Sequence, residues 1–292
     1  MQKKLALIFL LGFSLQVFSQ NFLMPSFPDY STKLGVGFQH SFLNDTIPQN
    51  TASGAYDLYA DIALNHILSI RVSVPFLINN PGATDDFNFG NIQLGISTKY
   101  WRHPNRGSVL IMEVGLPTGP KDRYAYYDYD EYNWHYTLAS NWWNINSNDL
   151  HKYMPGISST ILLDYAYHLR SRRFCFNFHI NPILIVRKKG GAIFQLNSSV
   201  LGGVNVKSLC FSVELLSTAN LIDNEYNTYR TGGWSIVTGL QLTKTLVRPS
   251  VFYRANFKNT DIYYARHVLG LKLEIALAKK EKYLRNTKAT TP

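Results

Sequence analysis

Apolar and polar residues alternate along most of the chain after its first thirty positions. In Leu68–Phe76 every second residue is aliphatic or aromatic, and serine, arginine or proline stands between them. The segments Asn91–Tyr100 and Leu269–Leu277 show the same period. A period of two places successive side chains on opposite faces, so each segment is predicted to be a β-strand with one apolar and one polar face.

Twelve such segments are predicted to be strands, and most are near the nine to eleven or so residues that cross a bilayer at a tilt. They are Lys33–Ser41, Ala55–Leu64, Leu68–Phe76, Asn91–Tyr100, Val109–Leu116, Ile157–Leu169, Phe174–Ile185, Ala192–Val206, Leu209–Leu221, Trp234–Leu242, Val247–Phe257 and Tyr263–Leu277.

The connections between these strands alternate in length. The short ones are 65–67, 101–108, 170–173, 207–208 and 243–246, and most of those between are longer, with 117–156 the longest. Short turns on one side and long loops on the other, around an even number of antiparallel strands, are typical of outer-membrane proteins. The predicted fold is all-β: a transmembrane, antiparallel, up-and-down β-barrel of about twelve strands at 33–277, with both termini in the periplasm.

A soluble β-sandwich would show the same alternation, but it would expose its charged face. Here only 16% of residues are charged, below the roughly 25% of soluble domains, and glycine, serine, asparagine and glutamine fill the polar faces. Aromatic residues gather at strand ends, as at a membrane interface. After residue 19 no apolar run reaches the 18 or so residues of a spanning helix.

The two ends of the chain differ from the barrel. Residues 1–19 read as a secretory signal peptide: Lys3 and Lys4, then an apolar stretch, then Ser19. Residues 20–32 are an apolar, proline-containing segment, interpreted as a periplasmic lead-in or a plug. Residues 278–292 are predicted to be a disordered, basic periplasmic tail.

Much of the net charge of +10 lies at these ends. The signal carries +2 and the tail +4, which leaves +4 spread over the barrel. This is not the basic stripe that tracks phosphates, so no nucleic-acid partner is expected.

The two cysteines are predicted to be free thiols. Cys175 and Cys210 alternate with apolar residues, so both point inward from the seventh and ninth predicted strands. Two strand spacings are roughly 9 to 10 Å, beyond the ~7 Å limit for a bridge.

Charged side chains of both signs are predicted to face the lumen. Either they pair and rigidify the barrel, because buried charge is costly without a partner, or they line a polar passage that selects solutes. A lumen of this size favours a plugged or gated pore over an open one. The candidate solute contacts are Asp57, Asp61, Arg71, Lys99, Glu113, Asp164, Glu214, Arg248, Arg254 and Lys272, with Lys33, His168, His179 and Glu274 also facing inward.

The loop 117–156 is unusually rich in tyrosine and tryptophan. Such rings suit contacts with carbohydrate, aromatic compounds or protein, and a lid over the barrel mouth is the alternative. The candidate contacts are Tyr126, Tyr127, Tyr129, Trp134, Trp142 and Trp143. Acidic residues of this loop lack the spacing and glycine of a known Ca²⁺ motif, so no metal site is expected.

No catalytic pattern is found. The eight histidines are scattered, and the chain has no G-x-S-x-G, no H-E-x-x-H and no phosphate-binding glycine loop. We therefore expect neither enzymatic activity nor a cofactor.

One pair of segments resembles a known family. Gly90-Asn-Ile-Gln-Leu-Gly-Ile-Ser-Thr-Lys-Tyr100, followed by a strand ending in Gly115-Leu-Pro-Thr-Gly119, is similar to the outer-membrane channels of the MetA-pathway of phenol degradation. The resemblance covers about thirty residues. It implies an outer-membrane barrel that passes small, often hydrophobic molecules.

Two functions follow as hypotheses. The first is an outer-membrane channel or passive transporter for small, hydrophobic molecules, gated by the loop 117–156. The second is a non-conducting barrel that anchors a cell-surface or secretion assembly. The expected partners are outer-membrane lipid, a small-molecule solute and a protein at the external loop, and the sequence does not determine the oligomeric state.

Overall fold

The structure, a computed structural model, describes residues 31–42, 53–79, 86–103, 106–118, 152, 158–171, 173–187, 192–223, 228–243, 245–257 and 267–277. The signal peptide, nearly all of the lead-in, the tail and nearly all of the loop 117–156 therefore lie outside the described residues. Within the described part, no helix is long and apolar enough to cross a membrane.

Thirteen strand segments make up the described chain. They are β1 Thr32–Phe42, β2 Ser53–Ala63, β3 Leu68–Asn79, β4 Asp86–Phe89, β5 Gln93–His103, β6 Arg106–Gly115, β7 Ser158–Arg170, β8 Phe174–Arg187, β9 Ala192–Val206, β10 Leu209–Asp223, β11 Thr228–Leu242, β12 Val247–Asn256 and β13 His267–Leu277.

The sheet closes into a twelve-stranded antiparallel barrel. Apart from β4 and β5, each strand pairs with its neighbours in the sequence, and β1 also pairs with β13 along its whole length, from Thr32 opposite Leu277 to Phe42 opposite His267. β4 and β5 occupy one position, because both pair with the same edge of β3, β5 with Leu68–Ser73 and β4 with Phe76–Asn79. The predicted fold class and strand number are confirmed.

The barrel has a turn end and a loop end. The turn end, named here for its short connections, carries 64–67, 104–105, 171–173, 207–208 and 243–246. Local hydrogen bonds fix these turns: the side chain of Asn65 accepts from the backbone N–H of Ile67 at 2.7 Å and of Leu68 at 2.8 Å. Lys207 adopts a left-handed φ of 56° in its two-residue turn, as tight hairpins require.

Burial is inverted relative to a soluble protein. Aliphatic side chains such as Leu271, Val213 and Ile161 point outward and are exposed, while Glu274, Gln195 and Asn197 point inward and are buried. A continuous outer apolar band is what a lipid-facing barrel needs and a water-facing one avoids. Tyr100 and Tyr165 lie exposed on this outer surface.

The structure differs most from the predicted strands in two places. β11 begins at Thr228, six residues before the predicted start at Trp234, because the glycine-containing stretch 228–233 continues the ladder with β10. The segment β4 was not predicted, since four residues are too few to show a period.

Candidate functional site: the barrel lumen

Ion pairs line one side of the lumen. Arg71 of β3 pairs with Glu113 of β6 at 3.2 Å, between Nη1 and Oε1. Lys99 of β5 lies 3.7 Å from Asp61 of β2, between Nζ and Oδ2. Because alternation places these side chains inward from four strands, the charges meet across strand boundaries and partly neutralise one another.

Glu274 is the centre of a second group. Its carboxylate is fully buried and lies 3.5 Å from Arg248 Nη1 and 3.6 Å from Lys272 Nζ. The hydroxyl of Tyr59 donates a hydrogen bond to it at 2.9 Å. Two cations and one hydroxyl around one carboxylate make this the most fully compensated buried charge described here.

The ring of Tyr59 extends over the neighbouring strand because Gly35 has no side chain to block it. A Cβ at Gly35 would lie 2.3 Å from Cζ of the Tyr59 ring. The ring therefore lies flat over β1, and Lys272 Nζ stands 4.7 Å from its centroid, within the range of a cation–π contact.

Histidines form a third group on β7 and β8. His168 Nδ1 and the Asn177 side-chain oxygen are 2.8 Å apart, and His179 Nδ1 lies 3.6 Å from Asp164 Oδ1. The two imidazoles meet edge to face at 5.6 Å. Glu214 lies within electrostatic range of His179, and Arg71 within range of Asp164, so the three groups form one electrostatic network.

Two apolar clusters also face the lumen. They occupy the same inward positions of their strands as the polar groups, and all are buried. One consists of Leu162, Ile183, Ile185 and Ile193, and the other of Leu216, Val237, Phe252 and Val268. Charged and apolar residues share the same levels of the wall, since Glu113 is the register partner of Leu162, and Arg254 is that of Val237 and of Val268.

The segments that resemble the channel family meet at one junction in the barrel wall. Where β4 gives way to β5, the Thr118 hydroxyl donates to the Gly90 carbonyl at 2.8 Å and accepts from the Ile92 N–H at 2.9 Å. The Asn91 N–H donates to the carbonyl of Lys152 at 2.7 Å. A Cβ at Gly90 would lie 2.4 Å from that same carbonyl oxygen, so only glycine fits.

Lys152 connects this junction to the lumen. Its Nζ lies 2.5 Å from Asp57 Oδ2, and the Ser73 hydroxyl donates to the other oxygen of Asp57, also at 2.5 Å. The far end of the loop 117–156 is therefore held to an inward-facing carboxylate of β2.

The candidate solute contacts of the barrel all face the lumen, and the structure joins most of them in pairs or groups. Arg254 is buried at 1% exposure. The six loop aromatics lie outside the described residues.

Two residues of the lumen were not predicted from the sequence. Tyr59 was missed because an aromatic ring is typical of the outer face, and Lys152 because nothing in the loop's composition distinguishes it.

A search of solved structures relates the chain to outer-membrane barrels. The COG4313 outer membrane channel from Pseudomonas putida F1 is 12% identical, covers 87% of this chain and 100% of its own, and superposes with a TM-score of 0.63. That channel represents the family that the motif resembles. The NanC porin (7% identity, TM-score 0.46, 85% of this chain and 100% of its own) and the KdgM porin with disordered oligogalacturonate (6%, 0.45, 84% and 99%) are too distant to bear on function.

No protein-family profile matches the chain. No curated protein matches it either. The closed barrel, its inverted burial and the likeness to the Pseudomonas protein together establish that this chain has the fold of an outer-membrane β-barrel.

Proposed function

We propose that the protein is a passive outer-membrane channel for small molecules. The observation that carries this proposal is the lumen itself: a closed twelve-stranded wall with buried polar and charged side chains on its inner face. A barrel of this size has an interior between the filled eight-stranded barrels and the wide sixteen-stranded porins. The passage therefore suits single small solutes.

The solutes are proposed to be small hydrophobic molecules with a polar group. Support comes from the two apolar clusters on the inner wall. Apolar wall accommodates the hydrophobic part of a solute. The charged groups beside these clusters then offer hydrogen bonds to its polar part, and we place Asp57, Asp61, Arg71 and Lys99 among those contacts.

The loop 117–156 is proposed to gate this passage. The support is its attachment at both ends, by Thr118 to the wall and by Lys152 to Asp57 inside the lumen. Thr118 and Lys152 are thus the two points at which the structure fixes this loop to the barrel. Its tyrosines and tryptophans then supply the closing surface and a contact for solute or for a protein partner.

The barrel is proposed to sit in the outer membrane with its turn end and both termini in the periplasm. Support comes from the strand number, which returns the last strand to the side of the first, and from the short turns at that side. The outer apolar band makes membrane lipid its principal partner. We propose neither a catalytic activity nor a cofactor for this chain.

Single-channel recording tests the function. The full-length chain, refolded in detergent and inserted into planar bilayers, is expected to give discrete openings, and deletion of residues 120–150 is expected to give larger ones. The control is the heat-dependent gel mobility of folded barrels, which shows that both proteins are folded. If neither folded protein conducts, the channel proposal is wrong, and a gating role for the loop no longer applies.

The paired charges support one alternative, a non-conducting barrel that anchors a surface or secretion assembly. Glu274 with its three partners and Arg71 with Glu113 strap strands together inside the lumen. If these pairs only rigidify the wall, the folded protein will be silent in bilayers with or without the loop.

A further inference from the structure

The two cysteines meet at the turn end although their strands are not neighbours. Cys175 lies in β8 and Cys210 in β10, and their sulfur atoms are 3.7 Å apart. Both are free thiols, exposed by 4% and 0%. They pack with the inward-facing Leu201 of the strand between them.

Gly203 makes this contact possible. It belongs to β9, between the two cysteine strands, and is the register partner of Cys175. A Cβ at this position would lie 2.6 Å from Cys175 Sγ and 3.4 Å from Cys210 Sγ. The two sulfur atoms therefore occupy the space that a side chain on β9 would fill.

The same arrangement disfavours a disulfide. The strands that carry the two cysteines are two strand spacings apart, roughly 9 to 10 Å, and the cysteines are also offset along them, because Cys175 pairs with Gly203 and Cys210 with Asn205. Bridged cysteines have Cα atoms only about 4.4 to 6.8 Å apart. The ladders from β9 to β8 and to β10 hold that separation. Side-chain rotation brings the sulfur atoms together, but a covalent bond between them would require the wall to contract.

A metal ion between the sulfur atoms has no such requirement. Metal–thiolate bonds of about 2.3 Å place two sulfur atoms about 3.8 Å apart at a tetrahedral angle and about 4.6 Å apart when they are in line with the metal. The observed 3.7 Å reaches this range through small rotations of the two side chains. We propose that Cys175 and Cys210 form a two-thiolate site for a soft monovalent cation of the Cu(I) class.

The surroundings select this class of ion. Thiolates favour soft ions such as Cu(I), and a structural zinc site takes four ligands. Among the described residues no group of three or more histidine, cysteine or acidic side chains is arranged to hold a metal. Two ligands therefore suffice only for an ion that accepts low coordination.

The protons of the two thiols and the charge of the complex are also accounted for. Each thiol that binds the ion releases its proton to solvent, so two thiolates and one monovalent cation carry a charge of −1. Arg170 is the register partner of Cys175 on β7, and its positive charge acts on both thiols. It supplies the counter-charge that a buried anionic complex needs.

Ag(I), a soft monovalent probe that needs no reductant, tests the site by titration calorimetry on the full-length folded barrel in chloride-free detergent buffer. One ion per chain is expected, with no comparable binding of Zn(II). Cys175→Ser and Cys210→Ser should each weaken binding roughly 100-fold or more, because the second thiolate binds intramolecularly. Gly203→Ala keeps both thiols but fills the space between them, and should also weaken binding.

Two results would overturn the site, and a third would overturn the argument against a disulfide. Single serine variants that bind like the wild type would show ordinary reaction of one thiol. If folded Gly203→Ala binds the ion as well as the wild type, the ion does not lie in the space between the sulfur atoms that the new side chain fills. Treatment of the folded barrel with a disulfide-forming oxidant should leave two titratable thiols after denaturation, and a cross-link formed in the folded state would contradict the spacing argument.

Discussion

Single residues determine how closely the inner wall packs. Tyr59 lies over Gly35 and reaches Glu274 with its hydroxyl, so a glycine, an aromatic ring and a buried carboxylate from three strands form one unit. Phe252 lies over Gly270 in the same manner, since a Cβ there would be 1.7 Å from its ring. At both positions the missing side chain is what admits the ring.

Gly35→Val should destabilise the barrel by about 1–3 kcal/mol, because the new side chain overlaps the Tyr59 ring and must displace it from Glu274. The measurement is the temperature at which half of the folded, fast-migrating gel band is lost. Gly202→Val is the matched control, since a Cβ at Gly202 meets nothing within 4 Å. Equal midpoints for the two variants would refute the packing argument.

If the loop 117–156 gates the passage as proposed, the pair of Lys152 and Asp57 should help to keep the channel closed. Lys152→Met and Asp57→Asn are each expected to increase the fraction of time that single channels spend open, because either change removes the 2.5 Å ion pair. If the two residues act together, the double variant should match the single ones. Additive effects, or a similar effect from Lys121→Met in the same loop, would argue against a specific latch.

Elements differ in how well the sequence predicts them. The alternation in Leu68–Phe76 or Leu269–Leu277 shows directly which face is inward, since a strand has only two faces. It did not show the break between β4 and β5, because a four-residue segment has no measurable period and the junction depends on Thr118 and Lys152, which are distant in sequence. The alternation also did not predict the contact between Cys175 and Cys210. That prediction used only the distance between strands and did not include how far inward side chains extend over a glycine.

The outer face of β13 offers a test of membrane depth on one strand. Leu271 is mid-strand, 51% exposed, and faces outward between β1 and β12. Leu271→Lys should cost about 2–4 kcal/mol in unfolding from lipid bilayers, whereas Leu277→Lys at the strand end should cost about 0–1 kcal/mol. The measurement is denaturant-induced unfolding in vesicles followed by tryptophan fluorescence.

The opposite order of these two costs, or equal costs, would mean that the lipid boundary is not where the exposed band places it. A soluble barrel would tolerate both lysines, so the pair also tests the membrane assignment independently of any channel activity.

At the scale of the whole molecule, the inner charges nearly cancel. The inward-facing set predicted from the sequence contains six acidic residues (Asp57, Asp61, Glu113, Asp164, Glu214, Glu274) and six lysines or arginines (Lys33, Arg71, Lys99, Arg248, Arg254, Lys272). These equal numbers could be predicted from the sequence, because the alternation indicates which residues face inward. The pairing could not be predicted, because it depends on which strands the closed sheet brings together and on how far each side chain reaches.

This balance predicts a channel with little preference between cations and anions, and it makes the pair of Asp61 and Lys99 a sensitive probe. The two side chains lie 3.7 Å apart inside the lumen, so Asp61→Asn removes one negative charge from this part of the wall and Lys99→Met removes one positive charge. Rings of fixed charge select ions of the opposite sign. The reversal potential in a KCl gradient should therefore be near zero for the wild type, shift toward anion selectivity in Asp61→Asn and toward cation selectivity in Lys99→Met, and return to the wild-type value in the double variant. An unchanged reversal potential in both single variants would show that ions do not pass this pair, and the conducting path would then have to run along another part of the wall.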